Sequence, residues 1–336
     1  MADRTHQRTL ASVQRLIGDG EHYAAHQKAR TTAARLLKAP TTPEKQAQAT
    51  DLLWSTARQL LEKGEAGSGT DLGLYLIEAW GQDGTRCGDA ERTKIRQLLA
   101  LAGPTGFWRK QLADAAFSWS AKCGSCPAGD LLLHAYLGEQ LAKEKSYASA
   151  EPHLLASASR ESAEVLAQMM YDWSQLDPQG VAAAGKYAAR GTLSYLEAEC
   201  ILAARSFLAR FLDLLLAAHP DLLFGRVAST AGSTEEDFAI VALGSINYLQ
   251  LAVRNCQIGV GESTAAPKPG EAVKRGMGRA AWQALFGRYE RDIAWLRGND
   301  AKESRSALSQ IYFGIKPPAP AGNPLAGLLG MLGGAR

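Results

Sequence analysis

Apolar residues recur along this chain at spacings of three and four. In Leu52, Leu53, Thr56, Leu60 and Leu61 they mark one buried face of a helix. Segments rich in Ala, Leu, Gln, Glu and Arg repeat this pattern, each closed by Gly, Pro or Asn. The pattern predicts helices near 5–17, 21–38, 43–63, 70–81, 91–102, 105–121, 128–142, 145–157, 160–174, 179–194 and 196–218. One stretch departs from it. Asp237-Phe238-Ala239-Ile240-Val241-Ala242-Leu243 is short, carries Ile and Val, and reads as a strand or hairpin arm. Ser245 is then placed to cap a helix through Asn247, Tyr248, Leu249, Gln250 and Leu251 to Cys256, and 259–270 reads as a loop. A long amphipathic helix is expected to follow through Trp282, Phe286, Tyr289 and Trp295. The tail from 317 is of low complexity and reads as mobile.

Helix pairs joined by short loops, with almost no strand between them, point to an all-α solenoid rather than a compact bundle. Gly20-Glu21-His22-Tyr23-Ala24-Ala25 and Lys145-Ser146-Tyr147-Ala148-Ser149-Ala150 each set an aromatic ring just ahead of alanines where one helix meets the next. That is the local signature of a tetratricopeptide-like hairpin, although no regular run of the repeat is present. Gly67-Ser68-Gly69 reads as a loop, with Ser68 or Thr70 as N-cap and Asp71 in the first turn of the helix that follows.

Composition narrows the function classes. The 336 residues are 46% hydrophobic, enough for a sizeable core, which excludes global disorder. Lys and Arg number 37 against 34 Asp and Glu, a net charge of +3, so the chain is not built mainly to hold nucleic acid. The most apolar run, Ile201 to Leu216, is interrupted by Arg205, Arg210 and Asp213 and does not read as a membrane span. Five scattered cysteines and an N-terminus without an apolar signal region point to the cytosol.

Candidate chemistry is sparse. Cys123-Gly124-Ser125-Cys126 has no second ligand pair, and His134 and His153 read as isolated, so the expectation is two ordinary cysteines at a turn and no metal site. His22 and His26 stand at helical i, i+4 spacing with nothing nearby to complete a metal site. No phosphate-binding loop, nucleophile elbow or zinc-protease helix is present. These observations predict no catalytic activity and no cofactor. Arg30, Arg35 and Lys38 form a basic run on one helix, ordinarily a solvated face.

Taken in order, several segments resemble the Golgi-to-ER traffic protein 4 family. They are Glu21-His22-Tyr23-Ala24-Ala25-His26-Gln27-Lys28-Ala29-Arg30-Thr31, then Gly67 to Leu72, then Tyr75-Leu76-Ile77-Glu78. Further along come Trp119-Ser120, Gly129-Asp130, Leu133-His134, Tyr147, Ala150-Glu151 and Tyr171-Asp172-Trp173. Asn247-Tyr248-Leu249-Gln250-Leu251 and Gly327-Leu328-Leu329-Gly330 complete the set. The resemblance implies a right-handed α-solenoid of tetratricopeptide-like hairpins with a small β-hairpin inserted in the C-terminal half. It implies a non-enzymatic scaffold for inserting tail-anchored proteins into the endoplasmic reticulum membrane. Such a scaffold bridges a ubiquitin-like-domain adaptor, held stably, to a targeting ATPase dimer, bound in its ATP state.

On this reading, residues 1–155 dock the ATPase, 156–316 hold the adaptor, and 317–336 form a tail. The ATPase-facing residues are expected to be Tyr23, His26, Arg30, Lys38 and Asp71. The adaptor-facing residues are expected to be Phe238, Ile240, Val241, Leu243, Ile246, Tyr248, Leu249 and Leu251. Neither nucleic acid nor direct membrane insertion is implied. A different class, a generic tetratricopeptide co-chaperone that binds chaperone C-terminal peptides, requires a repeated Lys and Asn carboxylate clamp that the sequence does not show.

Overall fold

The computed structural model describes residues 2–38, 41–104, 106–227, 238–264 and 277–316. The chain divides into two compact units, Met1–Ser157 and the residues from Ala158 onward.

The first unit holds α1 (Ala2–Gly18), α2 (His22–Leu37), α3 (Pro43–Glu62), α4 (Ala66–Asp83), α5 (Asp89–Leu101), α6 (Trp108–Cys123), α7 (Leu131–Lys143) and α8 (Tyr147–Ser157). α1 packs on α2, α2 on α3, α3 on α4, α5 on α6 and α7 on α8, and helices two apart also touch, so α1, α3, α5 and α7 lie in one layer and α2, α4 and α6 in another. Between the layers run the fully buried Leu52, Leu53, Leu60, Leu72, Leu76, Leu98 and Leu133. Burying each such side chain contributes roughly 1.5–3 kcal/mol.

The second unit holds α9 (Arg160–Ser174), a 3-10 turn (Gly180–Ala183), α10 (Ala184–Glu197) and α11 (Ile201–Ala218). These are followed by β1 (Leu223–Val227), β2 (Phe238–Val241), α12 (Gly244–Thr264), α13 (Met277–Tyr289), a second 3-10 turn (Ala294–Arg297) and α14 (Asn299–Phe313). Its core gathers Tyr195, Phe207 and Phe211, with ring centroids 6.0–6.3 Å apart. Tyr312 of α14 donates its hydroxyl to the Leu196 carbonyl of α10 at 2.8 Å. The class is all-α, helical hairpins with one small antiparallel β-hairpin, as the residue pattern and the resemblance both implied.

One turn recurs at four of the hairpins. After α1, α3, α7 and α10 the chain enters the left-handed region at Gly20, Gly64, Lys145 and Glu199, with φ of 80°, 81°, 60° and 61°. The next amide in each case donates back five residues, from Glu21 to Leu16, Glu65 to Leu60, Ser146 to Leu141 and Cys200 to Tyr195, at 2.8–2.9 Å. This is the 6→1 bond of a Schellman motif, and it reverses the chain within a few residues. Two of the four are the aromatic-and-alanine junctions singled out from the sequence.

Elsewhere starts are set by side chains. Thr42 caps α3 ahead of Pro43, Asp130 caps α7 through the Leu133 amide at 2.9 Å, and Ser159 caps α9 through the Ser162 amide at 3.0 Å.

Four expectations are corrected. α4 begins at Ala66, so Ser68, Thr70 and Asp71 lie inside the helix and none of them caps it. Gly69 there serves close approach, because a Cβ on it would stand 2.6 Å from Leu61 Cγ. α12 starts at Gly244, which puts Ser245 in its first turn, and it runs on to Thr264, through residues read as a loop; 265–276 lie outside the described residues. The helix through Trp282, Phe286 and Tyr289 ends at Tyr289, and Trp295 sits in the following 3-10 turn. Between them Ile293, extended at φ −108° and 5% exposed, drops into the core and breaks the helix. The tail, 317–336, lies outside the described residues.

Candidate partner-docking sites

α2 and α4 meet through a row of polar pairs. His22, His26 and Arg30 stand at i, i+4 and i+8 on α2 and so share one face. Opposite them are Glu65, the residue just before α4, and Asp71 within it. His22 Nδ1 lies 2.8 Å from Glu65 Oε1. Asp71 Oδ2 takes both His26 Nε2, at 2.8 Å, and Arg30 Nη1, at 2.5 Å. The Arg30 guanidinium also lies over the Tyr75 ring, 5.3 Å from its centroid. Burial and the Glu78 charge push the Tyr75 hydroxyl up from its ordinary value, opposed by Arg30.

The structure therefore brings His26, Arg30 and Asp71 into one cluster. Tyr23 is 72% exposed beside it, its ring 6.3 Å from that of His26. Lys38, the C-cap of α2, is exposed at the far end of the helix and outside the cluster. Tyr75, His22 and Glu65 belong to the row and were not singled out from the sequence as site residues. The i, i+4 relation between Asp71 and Tyr75 is the signal that would have found Tyr75. In the other layer, His6 Nε2 of α1 makes a similar pair with Asp51 Oδ2 of α3 at 2.9 Å.

The second candidate is the β-hairpin and the helices under it. β1 and β2 pair antiparallel, with Val227 opposite Phe238, Arg226 opposite Ala239, Gly225 opposite Ile240 and Leu223 opposite Val241. Phe224 forms a bulge between the last two pairs. α12 holds the other edge of β2 with two side-chain amides. Asn247 accepts from the Val241 amide at 3.1 Å and donates to its carbonyl at 2.8 Å; Gln250 does the same for Ala239 at 3.2 and 2.9 Å. The outer edge of β1 pairs with no described strand.

The eight apolar residues expected to face an adaptor separate into two groups. Val241, Ile246, Tyr248 and Leu249 are at most 3% exposed and belong to the chain's own core. Tyr248 packs edge-on against Tyr289 and Trp295, and burial pushes its hydroxyl up to about 12. Those four therefore present no surface, because side chains alternate faces on β2 and α12 turns its apolar stripe inward. Ile240 is 39% exposed, while Phe238, Leu243 and Leu251 are half-buried. The accessible apolar face is completed by two residues of β1 that sequence reading missed, Phe224 and Val227, 73% and 53% exposed. Gly225 and Arg226 stand between Phe224 and Val227, so β1 lacks the apolar alternation that marks a strand in sequence.

Elsewhere, Cys123 and Cys126 are free thiols at the end of α6 and in the turn after it. His134 and His153 are not isolated. Their Nδ1 atoms are 2.9 Å apart, and both rings stack on Phe117. His134 Nε2 lies 3.0 Å from the Ala128 carbonyl and must donate to it. With that proton on Nε2, His134 Nδ1 is left to accept, so His153 Nδ1 donates to it. Burial and the neighbouring His134 push His153 down to about 4. Among the described residues no three His, Cys, Asp or Glu side chains are grouped to hold a metal ion, and no helix is long and apolar enough to cross a membrane.

Helical hairpins packed in sequence, with one small antiparallel β-hairpin, define an all-α helical-repeat protein. Comparison with known proteins gives the particular family. The family model for Golgi to ER traffic protein 4 matches residues 44–332, and the chain belongs to that family. It is 26% identical to Golgi to ER traffic protein 4 of Aspergillus fumigatus, over 97% of this chain and 89% of that protein. The Schizosaccharomyces pombe protein of the same name is also 26% identical, over 92% of this chain and 90% of its own length. Among solved structures, the crystal structure of C. therm. Get4 superposes with a TM-score of 0.81 at 30% identity, covering 99% of this chain and 96% of that one.

Proposed function

We propose that this chain is a non-enzymatic cytosolic scaffold that bridges a ubiquitin-like-domain adaptor to an ATP-bound targeting ATPase. In this role it helps hand tail-anchored proteins toward the endoplasmic reticulum membrane. The observation that carries the reading is family membership together with two chemically distinct patches, one in each compact unit. The first, around Tyr23, Arg30 and Asp71, carries both signs of charge at a half-exposed surface, with His26, only 8% exposed, bound to Asp71 beneath it. Such a face speeds encounter and suits a reversible partner such as an ATPase that changes state. The second, around Phe224, Val227, Phe238 and Ile240, is apolar and suits a partner held more permanently.

The test is a binding titration against the host's targeting ATPase with and without ATP, with wild type beside Asp71→Lys and Arg30→Glu. ATP-dependent binding by wild type, weakened at least about tenfold in both variants, is the expected result. Absence of binding in both nucleotide states would overturn the bridging role.

A further inference from the structure

Between α11, α12 and β1 lies a cleft of about 280 Å³ whose chemistry differs from the apolar face beside it. Leu208, Leu212 and Val253 form its floor, all at most 8% exposed. Its walls carry Arg205, Arg226 and Arg254 against one acid, Asp213. Arg205 and Arg226 make no ion pair with a described residue, and Arg254 lies over the Phe238 ring, 5.4 Å from its centroid. A carboxylate placed beside Arg205 and Arg226 would gain charge-assisted, bidentate bonds.

The strand beside the cleft sets the pattern a ligand must match. Successive side chains on a strand point to opposite faces, so β1 sends Arg226 toward the cleft and Val227 to the apolar outer face. A chain laid along the open edge of β1 alternates in the same way.

We propose that this cleft receives carboxylate side chains from an extended partner segment in which acidic and apolar residues alternate. The inference rests on the reading of the second unit as the adaptor-binding half, and the occupant is a segment of that adaptor. Its apolar side chains lie on Val227 and Ile240, and its carboxylates reach Arg205 and Arg226. Asp213, at the same wall, disfavours an uninterrupted run of acids.

The experiment is a titration of the full chain with the host's full-length ubiquitin-like adaptor and, separately, with synthetic octapeptides of alternating Glu-Leu and Lys-Leu. Arg205→Glu and Arg226→Glu are the variants, since neither arginine lies over the Phe238 ring, and thermal melting confirms that each is folded. Expected are a loss of adaptor affinity on the order of 10- to 100-fold in each variant and progressive weakening of wild-type binding as salt rises. The Glu-Leu peptide should bind wild type and the Lys-Leu peptide should not. Adaptor binding that is indifferent to both variants and to salt would overturn the cleft assignment while leaving the scaffold reading intact. No adaptor binding by wild type, with Arg226-dependent binding of the Glu-Leu peptide, would overturn the scaffold reading and support the cleft. Displacement of the adaptor by a mixed-sequence RNA with the same arginine dependence would overturn the peptide assignment in favour of nucleic acid.

Discussion

The two patches are built on opposite plans. The α2–α4 face is assembled from side chains alone. Helical spacing puts His22, His26 and Arg30 in a row, and carboxylates on the next helix meet them across a half-exposed surface. The hairpin face depends on backbone, because β2 is held between β1 on one edge and two side-chain amides of α12 on the other. Removing a side chain from the first patch should change binding and leave the fold alone. Removing one from beneath the second should release the surface itself.

The sharpest way to break that contrast is the double variant Asn247→Ala with Gln250→Ala. It leaves the Val241 and Ala239 amides and carbonyls without their partners. A loss of roughly 2–4 kcal/mol is expected by denaturant titration, together with fast hydrogen exchange at those two amides and loss of adaptor binding. Unchanged exchange would show that β1 alone holds the strand.

An intermediate effect belongs to the first unit and to pH. The native His153 titrates at about 4 against an ordinary 6.5. Between those values the unfolded chain binds the extra proton, so the stability this group supports is complete above about 6.5 and is lost as pH falls toward 4. After allowance for its partial exposure the loss is on the order of 1–2 kcal/mol. Melting curves from pH 7 to pH 4 should show it in wild type and show a shallower dependence in His153→Gln.

Asp71→Lys tests the other half of the contrast. Both of its partners are polar and the carboxylate is 44% exposed, so stability should fall by less than about 1 kcal/mol while ATPase binding weakens by tenfold or more. A large stability loss would mean that the row is structural rather than a docking face.

The smallest effect sharpens the account of the turns. Lys145 and Glu199 occupy the left-handed position that Gly20 and Gly64 fill in the other two hairpins. Lys145→Gly and Glu199→Gly should each raise stability by about 0.5–1 kcal/mol, read as a shift in denaturant midpoint.

The turns also show where sequence reading stopped. Two of the four junctions were found through their aromatic and alanine residues, but the repeat itself was invisible because Gly, Gly, Lys and Glu share one φ and no chemistry. Likewise the stretch around Gly69 read as a loop, since sequence does not distinguish a glycine needed for chain reversal from one needed to admit Leu61.

Periodicity in the residue order determined eleven helices of the first 218 residues to within a few positions, the strand at Phe238, and the i, i+4 spacing of His22 and His26 on α2. These are local properties, set by neighbours three, four or two residues away. Tertiary structure alone decided that Asp71 serves His26 and Arg30 rather than a helix start. It also decided that Tyr248 and Leu249 are core, and that Phe224 and Val227 are surface. Each of those outcomes depends on groups far apart in the chain, where an apolar side chain carries no mark of which surface will cover it.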